Sequence, residues 1–144
     1  MKTIDTYITE KLKIRKVTRN YKYKPKTREE LIELVKMRMR NEGSDCDLND
    51  IDTSLITDMS RIFAFSAFCG NISKWDVSNV TNMQWMFASA SAFNQPIDNW
   101  DVSGVNDMSY MFDSAREFNQ PIGDWDVSNV IAMVSMFENA GKFN

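Results

Sequence analysis

Trp75, Trp100 and Trp125 stand 25 residues apart, and each opens the same run, Trp-Asp-Val-Ser. A recurrence at fixed period restricts a chain to architectures in which one supersecondary unit is repeated and each copy packs on its neighbours. The register holds through the whole unit: Val80, Val105 and Val130 recur, then Met83, Met108 and Met133, then Phe87, Phe112 and Phe137, then Ala90, Ala115 and Ala140. The pairs Phe93-Asn94, Phe118-Asn119 and Phe143-Asn144 close each copy, and Asn-Gln-Pro-Ile appears twice, ending at Ile97 and Ile122. A degenerate copy precedes them, with Ile51-Asp52 in the Trp-Asp place, Met59 and Phe63 one residue out of phase, and Phe68 and Ile72 back in it. The units start near 51, 75, 100 and 125, and the last is incomplete.

A period of 25 lies in the leucine-rich-repeat range and differs from those of short β-helix, helical-pair and propeller repeats. Within one unit, Ile97, Trp100 and Val102 reproduce the Leu-x-x-Leu-x-Leu spacing of a short strand. Val105, Met108, Met111, Phe112 and Ala115 then run at the spacing of one helical face, with Ser103 or Ser78 and Asn79 where a helix N-cap would stand. The fold class predicted on these grounds is α/β, a short solenoid of strand-turn-helix units with parallel strands, behind a helical N-terminal cap. Two domains follow: a basic helical capping segment over 1–47 and the repeat array over 48–144.

The run Trp-Asp-Val-Ser-Asn-Val-Thr-Asn-Met, with Met-Phe, Ala, Phe-Asn-Gln and Ile at these spacings, resembles the BspA-type leucine-rich-repeat family of bacterial and mycoplasma surface proteins. The resemblance covers residues 51–144 and implies a solenoid that engages other proteins without catalysis. A surface adhesin fragment is the variant of that implication in which the chain belongs to a longer, exported protein.

Charge divides the chain. Residues 1–47 carry 13 Lys and Arg against 8 Asp and Glu, whereas residues 48–144 carry 4 against 12. The basic charge is densest between Lys11 and Arg28, where Lys13, Arg15, Lys16, Arg19, Lys22 and Lys24 alternate with Tyr21 and Tyr23 and meet no acid. Such a segment is either a phosphate-contacting strip, which makes nucleic acid an alternative partner, or a solvated connector beside acidic repeats. After it, Thr27-Arg28-Glu29-Glu30 is a capping-box pattern, Leu31, Leu34 and Val35 form an apolar stripe, and Gly43 can end a helix. That helix is expected to cover the first repeat.

The chemistry of catalysis is poorly represented. The chain has no histidine, and Cys46 and Cys69 are its only cysteines, with no Cys-x-x-Cys pair. No cofactor or metal is expected, and no catalytic residue is assigned. Asp76, Asp101 and Asp126 form a column with Asp52, and two carboxylates one strand spacing apart repel by roughly 1 kcal/mol in water. A serine two residues after each aspartate offers the local solution, a side-chain turn that satisfies the carboxylate; a calcium ladder is the alternative. Trp75, Trp100 and Trp125 share parity with the valine two residues later, which makes them structural core rather than an exposed stacking ladder.

Recognition belongs instead to columns that differ between copies. Trp85 and Tyr110, with Arg61 as the first-unit equivalent and Ser135 as the last, lie off the apolar stripe; Lys74, Asn99 and Asp124 vary beside the constant Asp and Ser. These are the candidate partner-binding residues for a protein of unknown identity. The N-terminus lacks the apolar core of a signal peptide and no stretch has transmembrane length, so the expectation is a cytoplasmic chain without a membrane partner, or a cell-surface one if it is part of a longer exported protein. The sequence stops before a further framework Trp, which predicts either a fragment of a longer array or self-association through an uncapped C-terminal end.

Overall fold

The computed structural model describes residues 20–144, and one α-helix is present among them: α1, Arg28–Glu42. Thr27 caps it, accepting the Glu30 amide on its hydroxyl at 3.1 Å, while the Glu30 carboxylate reaches back to the Lys26 amide at 2.7 Å. The reciprocal bond lands one residue before the cap, a variant of the capping box. At the other end Gly43 takes φ 100°, and its amide closes on the Met39 carbonyl at 2.9 Å. Leu31, Val35 and Arg38 are the buried face.

The predicted α/β solenoid of parallel strands and helices is not what the repeats form. Outside α1 the described residues hold no helix and no sheet; four isolated parallel bridges, Tyr23 to Ile51, Asp58 to Asn82, Asn82 to Asp107 and Asp107 to Ala132, are all the β-structure there is. Where a strand was expected the chain turns: the amides of Trp75, Trp100 and Trp125 bond the carbonyls three residues back at Ile72, Ile97 and Ile122, at 3.1, 3.2 and 3.1 Å. Another such turn joins Val77 to Val80, Val102 to Val105 and Val127 to Val130, each at 3.0 Å.

The expected helix is a run of successive turns. The amides of Met86, Ala88 and Ala90 close back on Met83, Trp85 and Phe87 within their own unit. Between them, the amides of Met83, Trp85, Phe87 and Ser89 reach across to the carbonyls of Asp107, Ser109, Met111 and Asp113 in the next unit, at 2.7–3.0 Å. The pattern repeats from Met59, Arg61, Phe63 and Phe65, and again from Met108, Tyr110, Phe112 and Ser114. A helix would satisfy these amides internally, and these cross-unit bonds would then be lost. Aspartate and asparagine at the entry favour the turn: Asp58, Asn82 and Asp107 each accept the amide two residues on, at 2.8–2.9 Å.

The turns require left-handed backbone at two places in every unit. Arg61 and Phe65, Trp85 and Ser89, Tyr110 and Ser114, and Ser135 and Asn139 have φ between 47° and 61°, and none is glycine. Each such residue costs on the order of 1–2 kcal/mol. Inter-unit hydrogen bonds and the core offset it. Phe63, Phe87, Phe112 and Phe137 stack at 5.5 Å steps with rings within 7° of parallel. A second column, Phe68, Phe93, Phe118 and Phe143, lies 4.0–4.2 Å from the first at each level. Trp75, Trp100 and Trp125 flank the columns, at most 8% exposed, and donate their indole N–H to Leu48, Ile72 and Ile97 carbonyls at 2.9–3.3 Å. They are core, as their spacing predicts, although no strand places them there.

The first unit is covered from the N-terminal side. Lys22 and Tyr23 bond the Asp50 carbonyl, the Asp52 amide returns to the Tyr23 carbonyl at 2.8 Å, and α1 lies against the same unit through Leu31 and Val35. Arg38 is the polar lock: its guanidinium meets Asp50 at 2.8 Å, the Asp47 carbonyl at 3.0 Å and Glu42 Oε2 at 2.9 Å, and faces the Tyr23 ring. Its Nε is 2.5 Å from Glu42 Oε1 as a charge contact without an aligned hydrogen bond. Glu42 first, then Asp50, raise the Arg38 pKa above its ordinary value against the opposing effect of burial. Gly70 admits the backbone of the preceding coil, since a methyl there would fall 2.0 Å from the Cys46 carbonyl oxygen.

Two substitutions test this backbone. At Ser89 the left-handed conformation makes Ser89→Gly more stable than Ser89→Ala by about 1 kcal/mol, the reverse of the order a helix interior gives; chemical denaturation of both variants measures the order. Gly70→Ala is expected to lower stability by well over 1 kcal/mol, because the contact is with backbone that cannot rotate away.

Candidate functional site

Left-handed backbone at equivalent positions points equivalent side chains outward, and this builds the most distinctive surface feature of the chain. Arg61, Trp85 and Tyr110 form one column: the Trp85 and Tyr110 rings stack at 4.3 Å and 17°, and the Arg61 guanidinium stands over the indole at 5.6 Å. Trp85 and Tyr110 are half-buried and Arg61 is exposed. Ser135 continues the column with the same backbone, φ 47°, and no ring. These four positions were separable in the sequence because they vary while Met and Phe beside them do not. Their alignment in one column follows from the repeat register; the stacking of the Trp85 and Tyr110 rings with Arg61 over the indole comes from the structure.

The second variable column is only partly brought together. Lys74 and Asn99 line a polar depression of ≈ 290 Å³ with Tyr21, Asp76, Asp101 and the edge of Trp75, whereas Asp124 is exposed and does not line it. Asn99 is also committed to the scaffold, donating its amide to the Ser73 carbonyl at 3.0 Å, and the Lys74 backbone amide bonds Asn49 Oδ1 at 2.8 Å. Of the basic strip, Lys13, Arg15, Lys16 and Arg19 lie outside the described residues. Lys22 sits 5.4 Å over the Tyr23 ring, and Lys24 is exposed.

The aspartate column resolves locally. Asp52, Asp76 and Asp101 each accept both the hydroxyl and the amide of the serine two residues on, at 2.5–2.6 Å and 3.0–3.1 Å, and Asp126 accepts the Ser128 amide at 3.0 Å. The serine hydroxyl, and after it the serine amide, hold the Asp101 and Asp126 carboxyls below the ordinary aspartate range; at Asp101 the neighbouring Asp126 charge opposes this only weakly. Among the described residues no three His, Cys, Asp or Glu side chains come together as a metal site. Cys46 and Cys69 are free thiols, and burial pushes the Cys46 thiol upward.

Side-chain amides form a further ladder that the sequence displayed without disclosing its role. Asn94 and Asn119 accept the amides of Asn119 and Asn144 at 2.9 and 3.2 Å, Gln95 and Gln120 donate to the Cys69 and Asn94 carbonyls, and Asn79 and Asn129 donate to Ser54 and Ser103. The recurring Asn-Gln is therefore cross-unit bonding. On the last unit Ile122, Val127, Met133, Met136, Phe137 and Phe143 line an apolar depression of ≈ 250 Å³.

A family model matches residues 32–144, from within α1 through all four units. The chain belongs to the DUF285 family, described as Mycoplasma protein of unknown function. No curated protein and no solved structure matches it. The matched span contains the whole Arg61, Trp85 and Tyr110 column and the aspartate column, and leaves Tyr21, Lys22 and Tyr23 outside. No helix among the described residues is long and apolar enough to cross a membrane.

The Asp-Ser turns carry a pH signature. A carboxyl with a depressed folded pKa contributes stability that is present above its unfolded pKa and is lost as pH falls through the folded value. Exposure of Asp101 makes that contribution small. Carboxyl-carbon NMR titration is expected to find Asp101 below the ordinary aspartate range and to return it toward that range in Ser103→Ala.

Proposed function

We propose that this chain is a non-catalytic protein-interaction module that engages its partner through the Arg61, Trp85 and Tyr110 column. The observation that carries the reading is the stacked pair itself: two large aromatic side chains at 4.3 Å, half-buried, in a column whose remaining positions hold Arg61 and Ser135. The backbone alone is content with small polar residues there, and short polar side chains tolerate left-handed conformation better than Trp or Tyr. Aromatic residues and arginine held rigidly at a surface are the types that dominate binding energy at protein interfaces. A stacked column loses little conformational freedom on binding, which favours affinity.

The absence of histidine in the sequence and the uniformity of the aspartates support a binding rather than a catalytic role, since acid-base work needs one carboxyl set apart from its neighbours. The motif resemblance of residues 51–144 to BspA-type repeats supports the same class. It is a likeness of sequence framework and carries no strand-helix unit with it.

The test is capture from host lysate with the wild-type chain and a Trp85→Ala/Tyr110→Ala variant, followed by affinity measurement on the protein identified. The double variant is expected to fold, to lose about 0.5–1.5 kcal/mol of stability with the stack, and to bind at least about 30-fold more weakly, the scale of a hot-spot loss. A partner held equally by both chains would place binding elsewhere.

A further inference from the structure

The aromatic column stops one unit short of the repeats that build it. Trp85 covers one face of the Tyr110 ring, and the next unit places Ser135 where a ring would cover the other. The backbones are equivalent, at φ 60°, 58° and 47° for Trp85, Tyr110 and Ser135, and the Tyr110 amide holds the units in register through the Val134 carbonyl at 2.8 Å. A seryl side chain has no ring to set on Tyr110, so the column presents an aromatic face beside a one-residue gap.

The residues one turn on from the column change in charge between its two ends. One turn on from Arg61 and Trp85 stand Ala64 and Ala88, whereas one turn on from Tyr110 and Ser135 stand Asp113 and Glu138, joined by their amides to the Tyr110 and Ser135 carbonyls at 3.2 Å each. Asp113 is half-buried, with Oδ1 accepting the Ser114 hydroxyl at 2.9 Å, and Glu138 is exposed. The opposite end of the column already seats a guanidinium on a ring, Arg61 over Trp85.

We infer that the gap over Ser135 receives an arginine side chain from a basic segment of the partner protein, its guanidinium stacked on Tyr110 and its charge met by Asp113 and Glu138. This rests on the column being the binding surface. A planar, weakly hydrated guanidinium lies flat on an aromatic face, whereas an ammonium makes a point-charge contact over the ring, as Lys22 does on Tyr23, and stays strongly hydrated; this favours arginine over lysine. The acidic balance of residues 48–144, 12 Asp and Glu against 4 Lys and Arg, draws such a segment toward the repeats.

Two short peptides, one alternating arginine with glycine and one alternating lysine with glycine, separate stacking from charge when titrated calorimetrically against the full chain at about 0.15 M salt, where exposed charges more than roughly 8 Å apart are largely screened. The arginine peptide is expected to bind at least about tenfold more tightly than the lysine peptide. Ser135→Tyr, which supplies the missing ring on the backbone that carries Tyr110, is expected to weaken the arginine peptide at least about tenfold without lowering the melting temperature. Tyr110→Ala gives the same loss by removing the platform, and Ser135→Ala binds as the wild type does. Equal affinity for the two peptides, or affinity unchanged in both Ser135→Tyr and Tyr110→Ala, overturns the inference. A captured partner that is lost from Trp85→Ala/Tyr110→Ala but kept by Ser135→Tyr refutes the arginine seat while leaving the column as the binding surface; a partner kept by both refutes the column.

Discussion

Alternate peptide groups in each unit are given to the neighbouring unit, and the rest of the structure depends on that division. An amide that closes a turn holds its own unit; the amide beside it, at Met83, Trp85, Phe87 or Ser89, holds the next one. No single unit can satisfy its own backbone, so stability is a property of neighbours rather than of any one turn. The phenylalanine columns add to the same dependence from inside, because each ring, besides the partner in its own coil, stacks on a ring of the neighbouring unit.

The cost of this arrangement is left-handed backbone twice per unit, and the cost shapes the surface. At one of the two series the side chains are Phe65, Ser89, Ser114 and Asn139; at the other they are Arg61, Trp85, Tyr110 and Ser135. Since all eight positions share the conformation, strain is periodic and does not by itself mark a site. What distinguishes the second series is chemistry, a cation and two rings in contact.

The N-terminal side meets the repeats on different terms. There the neighbour is not another copy but α1 and the Tyr23 backbone, and the buried Arg38 side chain joins both to Asp50, whose carboxylate, like that of Glu42, stays partly in water. Removal of Glu42 or Asp50 would leave the buried Arg38 guanidinium with fewer partners, which is the costly direction for a charge held out of water. The family match covers α1 from residue 32 together with all the repeats.

The period, the core positions of the first three units, the Trp burial, the Asp-Ser turns and the limits of α1 follow from the sequence by itself, because each depends on recurrence or on groups two to four residues apart; in the last unit Val127 and Met133 are exposed. Val105, Met108, Met111, Phe112 and Ala115 are all buried, as a helical face would be. They are buried by a different backbone, since turns of about three residues return apolar side chains to one side at nearly the same intervals as a helix. Only the tertiary structure chose between the two. Amides bonded to their own turn and amides bonded to the next unit, as Met83 is to Asp107, alternate along one stretch of sequence, and the second kind needs a neighbouring unit to accept. The contact of Trp85 with Tyr110, and the gap beyond it, were decided at that same level.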